Sequence, residues 1–143
     1  MSPSNTVLDR TTLKGYFETG DKPTQAQFER LIDSSVGRIV VPLSYAATIT
    51  TDLTAGFVFK VTITGNLLLE NPTGGVDGTS YMWRIKQDGT GGRTVSLGTK
   101  FTIPSSATTP LAWSTDPNAM DMLVAQYDSD ADLFYVTAMI PGY

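Results

Sequence analysis

Five carboxylates have the chemistry for general acid and base work on a glycosidic bond: Glu70, Asp77, Asp88, Asp116 and Asp121. All but Asp121 sit in or beside turn-forming residues, where Asp recurs because its side chain satisfies nearby backbone N–H groups. No spacing marks two of them as a pair, so the sequence points away from an enzyme. Asp128, Asp130 and Asp132 stand at alternate positions, like the opening of a calcium loop. Such a loop also needs a glycine and a distal glutamate, and here Leu133-Phe134-Tyr135 follows, which reads as strand. The three are a weak calcium candidate, and a solvated hairpin turn is the stronger reading. Gly89-Thr90-Gly91-Gly92-Arg93-Thr94 lacks the Lys-Ser/Thr pair and the helix of a phosphate cradle, and is expected to be a hairpin loop. Tyr81, Trp83 and Trp113 are aromatic enough to stack on a sugar. Alternation places Tyr81 and Trp83 on one strand face with Ile85, which predicts core, and leaves Trp113, flanked by loops, as the glycan-binding candidate. Nothing in the pattern calls for a cofactor.

Composition narrows the chemistry further. The 143 residues include no Cys and no His. Disulfides, thiol nucleophiles, the usual zinc sites and His-based triads are therefore excluded. The formal charge of −4 is uneven. Residues 1–38 carry five basic and five acidic side chains, and residues 39–143 carry five basic and nine acidic. An acidic β portion argues against a nucleic-acid partner. No apolar run approaches the roughly 18 residues of a membrane span, and the first ten residues do not read as a signal peptide, so a soluble protein without membrane insertion is expected.

Two kinds of element follow from periodicity. Thr12 to Phe17 predicts a short helix with Leu13, Tyr16 and Phe17 on its apolar face, ended by the Gly20–Pro23 turn. Thr24-x-x-Gln27 is a capping box, and Phe28, Leu31, Ile32 and Val36 then form one helical stripe. Gly37 is placed to end this second helix. A pair of helices of about 26 residues cannot bury enough surface to stand alone, so both stripes need a partner surface, either the rest of this chain or another protein. From residue 39 onward the period becomes two. Pro42 makes residues 38–43 an edge or bridging strand. Phe57, Phe59, Val61 and Ile63 alternate with polar or smaller residues, and Tyr81, Trp83 and Ile85 do the same. Eight or nine strands are expected. The resulting fold is mainly β: an antiparallel β-sandwich, jelly-roll-like, over 39–143, preceded by a short N-terminal helical hairpin within 1–38. The last two strands are apolar on both faces, so either they are central strands covered on both sides by the chain's own core, or one face meets another copy, with Met122, Val124, Phe134 and Val136 as the expected oligomer interface.

The stretch LKGYFETGDKPTQAQFERLIDS, Leu13 to Ser34, is similar to an N-terminal module of virion proteins of tailed bacteriophages. Asn66 to Pro72, with QDGTGGRTVSL from Gln87 to Leu97, resembles a β-structured repeat of phage tail and head fibres. The resemblance implies a structural virion protein: a head fibre, capsid decoration or tail-fibre appendage, made in the host cytoplasm. It supplies no catalytic residues. It implies that Leu13, Tyr16, Phe17, Phe28, Leu31 and Ile32 meet capsid, portal or tail proteins, and that the β domain is a homotrimer. An adhesin for a host receptor or surface glycan is the alternative, and a glycan-degrading enzyme the more remote one.

Overall fold

Asp9 begins the first helix. Its Oδ1 accepts from the backbone N–H groups of Thr11 and Thr12 at 2.8 and 3.0 Å, so α1 runs from Arg10 to Gly15. The start is two residues earlier than Thr12 because Asp9 caps the helix. The capping box closes as expected: Gln27 N–H donates to Thr24 Oγ1 at 3.3 Å and Thr24 N–H to Gln27 Oε1 at 2.8 Å. It opens α2, Gln25–Val36. These are parts of a computed structural model that describes residues 8–20, 22–36, 40–105 and 111–143. The expected cap at Gly37 and the junction at residues 38/39 lie outside the described residues, as does the side chain of Val36.

Nine strands follow among the described residues: β1 (Val40–Pro42), β2 (Thr48–Ile49), β3 (Val58–Ile63), β4 (Leu67–Leu69), β5 (Ser80–Gln87), β6 (Val95–Leu97), β7 (Phe101–Thr102), β8 (Met120–Asp128) and β9 (Leu133–Ile140). They form a six-stranded sheet ordered β1-β3-β5-β8-β9-β7 and a three-stranded sheet ordered β2-β4-β6. From β1 to β7 the chain visits the two sheets alternately. β1, β3 and β5 therefore meet as parallel neighbours in one sheet, and β2, β4 and β6 in the other. Antiparallel pairing is confined to β5–β8 and β8–β9 among the described strands.

The expected antiparallel sandwich is thus corrected. The sheets are mixed, and the first six strands make three turns of a coil, as in a solenoid. The physical reason lies at the corners. A hairpin turn returns the chain beside the strand it has just left, whereas a corner sends it to the other sheet. Gly89-to-Thr94, expected to be a hairpin loop, belongs to such a corner, because β5 and β6 are in different sheets. Its buried Gln87 amide donates to the carbonyls of Arg93 and Ser114, both at 2.8 Å, and accepts from Arg93 N–H at 3.0 Å. Equivalent corners stack from turn to turn. Tyr45 Oη donates to the Asn66 carbonyl at 3.0 Å, and Thr94 N–H donates to Asn66 Oδ1 at 3.0 Å. At the other end of β4, Asn71 Oδ1 accepts from Lys100 N–H at 2.8 Å. The two repeat-like stretches lie on successive turns, with Leu67 registered on Val95 and Leu69 on Leu97.

Close stacking leaves no room at Gly98, where an added Cβ would approach Asn71 N to 2.6 Å. Gly98→Ala is expected to destabilise the fold by about 1–3 kcal/mol through backbone displacement. A thermal unfolding scan of the full chain checks this.

One core takes side chains from both sheets: Phe59, Val61 and Ile63 of β3, Leu67 and Leu69 of β4, Tyr81, Trp83 and Ile85 of β5, and Leu123 of β8. The alternation read for β3 and β5 is what the burial shows. Trp83 stacks on Phe59 at 6.0 Å, meets Phe101 edge-on at 5.4 Å, and donates from Nε1 to Thr51 Oγ1 at 3.0 Å. Pro42 sits in the edge strand β1, where its missing N–H costs no ladder bond.

The final hairpin departs from strict alternation. A bulge sets Val124 opposite Ala138 but Ala125 opposite Val136, leaving Thr137 as the extra residue. Phe134 and Val136 therefore turn inward with Leu123 and Ala125, and are 1% and 7% exposed. Met122 and Val124 face outward opposite Ile140 and Ala138. The four residues expected to form one oligomer interface lie on opposite faces, and Phe134 and Val136 belong to the chain's own core.

Candidate docking surface of the helical hairpin

The two helices hold each other loosely. Phe17 and Phe28 meet edge-on with ring centroids 5.7 Å apart, and Arg30 Nη1 reaches Tyr16 Oη at 3.4 Å. Leu8 N–H donates to Ser34 Oγ at 3.1 Å, tying the chain before α1 to the end of α2. Gln25 Nε2 donates to Glu29 Oε1 at 2.8 Å along the polar side of α2. Asp9, which caps α1, is held below the usual carboxylate range by the Thr12 hydroxyl and the first-turn N–H groups.

What these contacts leave uncovered is apolar. No residue of α1 is buried. Phe17 is 45% exposed, Phe28 47% and Ile32 56%. Leu13, Phe17 and Leu31 line an open groove of about 740 Å³ together with Leu8 and the stems of Arg10 and Lys14. Of the six residues singled out in the sequence, Leu13, Phe17 and Leu31 share this groove and Phe28 abuts it through Phe17. Tyr16 is half-buried beside Arg30, and Ile32 is exposed on α2. Leu8 was missed, because one leucine ahead of the periodic stretch carries no pattern. Monomeric proteins rarely leave a contiguous apolar patch of this kind without a use for it.

The outer face of the larger sheet carries a second apolar feature. Val40, Val58, Met82, Val124 and Ala138 are registered neighbours across five strands, with Met122 and Ile140 in the next row. Met122 and Val124 thus stand on a surface row, and Val40, Val58, Met82, Ala138 and Ile140 join them. Parallel pairing brings together residues that no local pattern relates.

The remaining candidates are dispersed. Asp128 Oδ1 accepts from Asp130 N–H at 2.9 Å and Ala131 N–H at 3.1 Å, which is a turn. Asp132 pairs with Lys100 and accepts from Tyr127 Oη at 3.0 Å. Lys100 holds the Asp132 carboxyl below its ordinary range, and Asp132 in turn raises the Tyr127 hydroxyl. Among the described residues no three acidic groups converge as a metal site would require. Asp88 accepts from Thr90 and Gly91 N–H groups and pairs with Arg93, which lowers its carboxyl. Asp77 caps Ser129 N–H at 2.9 Å, and Glu70 accepts from Asn71 N–H at 2.8 Å. Asp121 is buried and accepts from Ser114 and Gly142 N–H groups at 2.8 and 3.0 Å, tying two loops to β8. Asp116 is exposed in the 115–118 turn. Trp113 is half-buried and packs against the core. No helix is long and apolar enough to cross a membrane among the described residues.

Comparison with curated proteins and with solved structures finds no match. A family model described as "Putative phage tail fibre C-terminal domain" matches residues 49–130, from β2 to the tip of the β8–β9 hairpin. That match spans more than half of the chain and most of the coil just described, and the chain belongs to this bacteriophage tail-fibre family.

Proposed function

We propose that the protein is a virion appendage, of head-fibre, capsid-decoration or tail-fibre type, that docks to the particle through α1 and α2 and projects the β domain. Family membership supports a structural place on a phage particle. The observation that carries the docking is the apolar ridge of Leu13, Phe17, Phe28 and Leu31, which the chain's own sheets leave exposed or half-exposed. An amphipathic helical element of this kind fits a groove on a partner. The partner is another virion protein: capsid, portal or tail. The β domain associates with copies of itself, as a trimer, through the β8–β9 part of the outer face, where Met122, Val124, Ala138 and Ile140 are adjacent. Several docked copies then gain avidity. In this reading the protein is not an enzyme, and the separate backbone-capping duties of Glu70, Asp77, Asp88 and Asp121 support that.

Mass spectrometry of purified particles, with copy number, tests the reading. On the order of tens to hundreds of copies place the protein on the head. A smaller multiple of three places it on the tail, and its absence from particles rejects the proposal.

A further inference from the structure

Between residues 40 and 143 there are five basic side chains: Lys60, Arg84, Lys86, Arg93 and Lys100. Two are paired, Arg93 with Asp88 and Lys100 with Asp132. The other three meet in one place on the outer face of the larger sheet. Lys60 and Arg84 are registered partners on β3 and β5, and Thr62 and Lys86 are the next pair on the same face. Neighbouring strands lie about 4.8 Å apart and same-face residues about 6.6 Å apart along a strand, so all three cations can reach one point. They line a groove of about 490 Å³ with Thr62, Pro42 and Met120, and no carboxylate among the described residues lines it. That volume falls within the roughly 300–1,000 Å³ of small-molecule sites.

The groove is electrostatically incomplete. Among the described residues Lys60, Arg84 and Lys86 make no ion pair. Arg84 Nε is shut off from solvent and has no acceptor among the described residues. A desolvated donor without a partner and three adjacent like charges both oppose folding, and a bound oxyanion relieves both. The surroundings limit the ligand's length. Residues 40–143 carry nine acidic side chains, so a long polyanion leaving the groove meets its own sign of charge. A compact ligand does not. The Pro42 and Met120 walls offer apolar contact for ring C–H faces, and the Thr62 hydroxyl offers a hydrogen bond.

We propose that this groove binds a compact acidic saccharide unit, one or two rings bearing a phosphate or carboxylate, with the Arg84 guanidinium on the oxyanion and Lys60 and Lys86 flanking it. The site is separate from the docking ridge, and its test uses the purified chain, so either can fail without the other; it adjoins the proposed self-association patch, Arg84 being the registered neighbour of Met122.

The test is an amide NMR titration of the full chain with glucose 1-phosphate and with glucuronate, using glucose and inorganic phosphate as controls. Saturable shifts centred on Lys60, Thr62, Arg84 and Lys86 are expected with at least one acidic sugar. Glucose and bare phosphate should bind at least about tenfold more weakly. Lys60→Gln with Arg84→Gln should weaken binding by about tenfold or more while the rest of the spectrum is unchanged, since each charged hydrogen bond is worth about a factor of ten. Arg84→Lys, which keeps the charge but loses the fork, should recover only part of the affinity. Absence of saturable shifts, equal binding of glucose, or unchanged binding by the double variant would overturn the site. Equal binding of inorganic phosphate would overturn the saccharide assignment. Shifts at these amides that follow protein concentration alone would also overturn it, by assigning the groove to a second copy's acidic loop.

Discussion

Particles grown with Phe28→Asp and Leu31→Asp are expected to lack this protein. Each side chain is worth about 1.5–3 kcal/mol when fully buried against a partner, so the pair removes about 3–6 kcal/mol of docking energy. At about 1.4 kcal/mol per factor of ten, affinity falls by about two to four orders of magnitude. Burying either carboxylate in the partner groove would add a further penalty. The chain itself should stay folded. Phe28 is 47% exposed and Leu31 half-buried, and neither belongs to the core of the β domain. Quantifying the protein in purified particles, alongside the unfolding curve of the isolated variant, separates lost docking from lost folding. Normal incorporation of a folded variant would reject the helical ridge as the attachment.

Trp83→Ala is the other change with a large expected effect, and it acts on the β domain alone. Trp83 is 1% exposed, touches Phe59 and Phe101, and bonds Thr51 across the core. Its removal leaves a cavity between the two sheets, and such truncations cost about 3–5 kcal/mol. Thr51→Val is nearly isosteric and tests the hydrogen bond by itself. It leaves the indole N–H unsatisfied in a buried place, at a cost of about 1–3 kcal/mol. Urea unfolding of the full-length variants measures both. An effect of Trp83→Ala no larger than that of Thr51→Val would mean that Trp83 does not bridge the sheets.

The sequence was legible wherever its signals are local. Thr24 and Gln27 announce their own hydrogen bonds, and the stripe from Phe28 to Ile32 needs only helical spacing. Phe59, Val61, Ile63, Tyr81, Trp83 and Ile85 turn inward as period two requires. Sheet topology was not legible, because parallel pairing in a coil depends on the return distance between turns. Val40 pairs with Val58, 18 residues on, but Val58 pairs with Met82, 24 residues on. Unequal returns hide the repeat from any search for a fixed period. Asp88-Gly89 has the composition of a hairpin turn, and only the tertiary bonds of Gln87 reveal a corner. Phe134 and Val136 face the core and not the Met122 and Val124 side because of the bulge at Thr137, which no residue preference marks. The cationic groove escaped notice because Lys60 and Arg84 lie 24 residues apart and meet only through the same hidden register.

Chemical cross-linking of intact purified particles, read by mass spectrometry, addresses the central claim most directly. Lys14 on α1 lines the apolar groove and Lys22 precedes α2 in the chain, and both carry reactive amines. If the ridge attaches the protein, these lysines should link to a different virion protein, while Lys60, Lys86 and Lys100 link only within the β domain or to its copies. Links from Lys14 and Lys22 confined to this chain's own sheets would contradict the attachment.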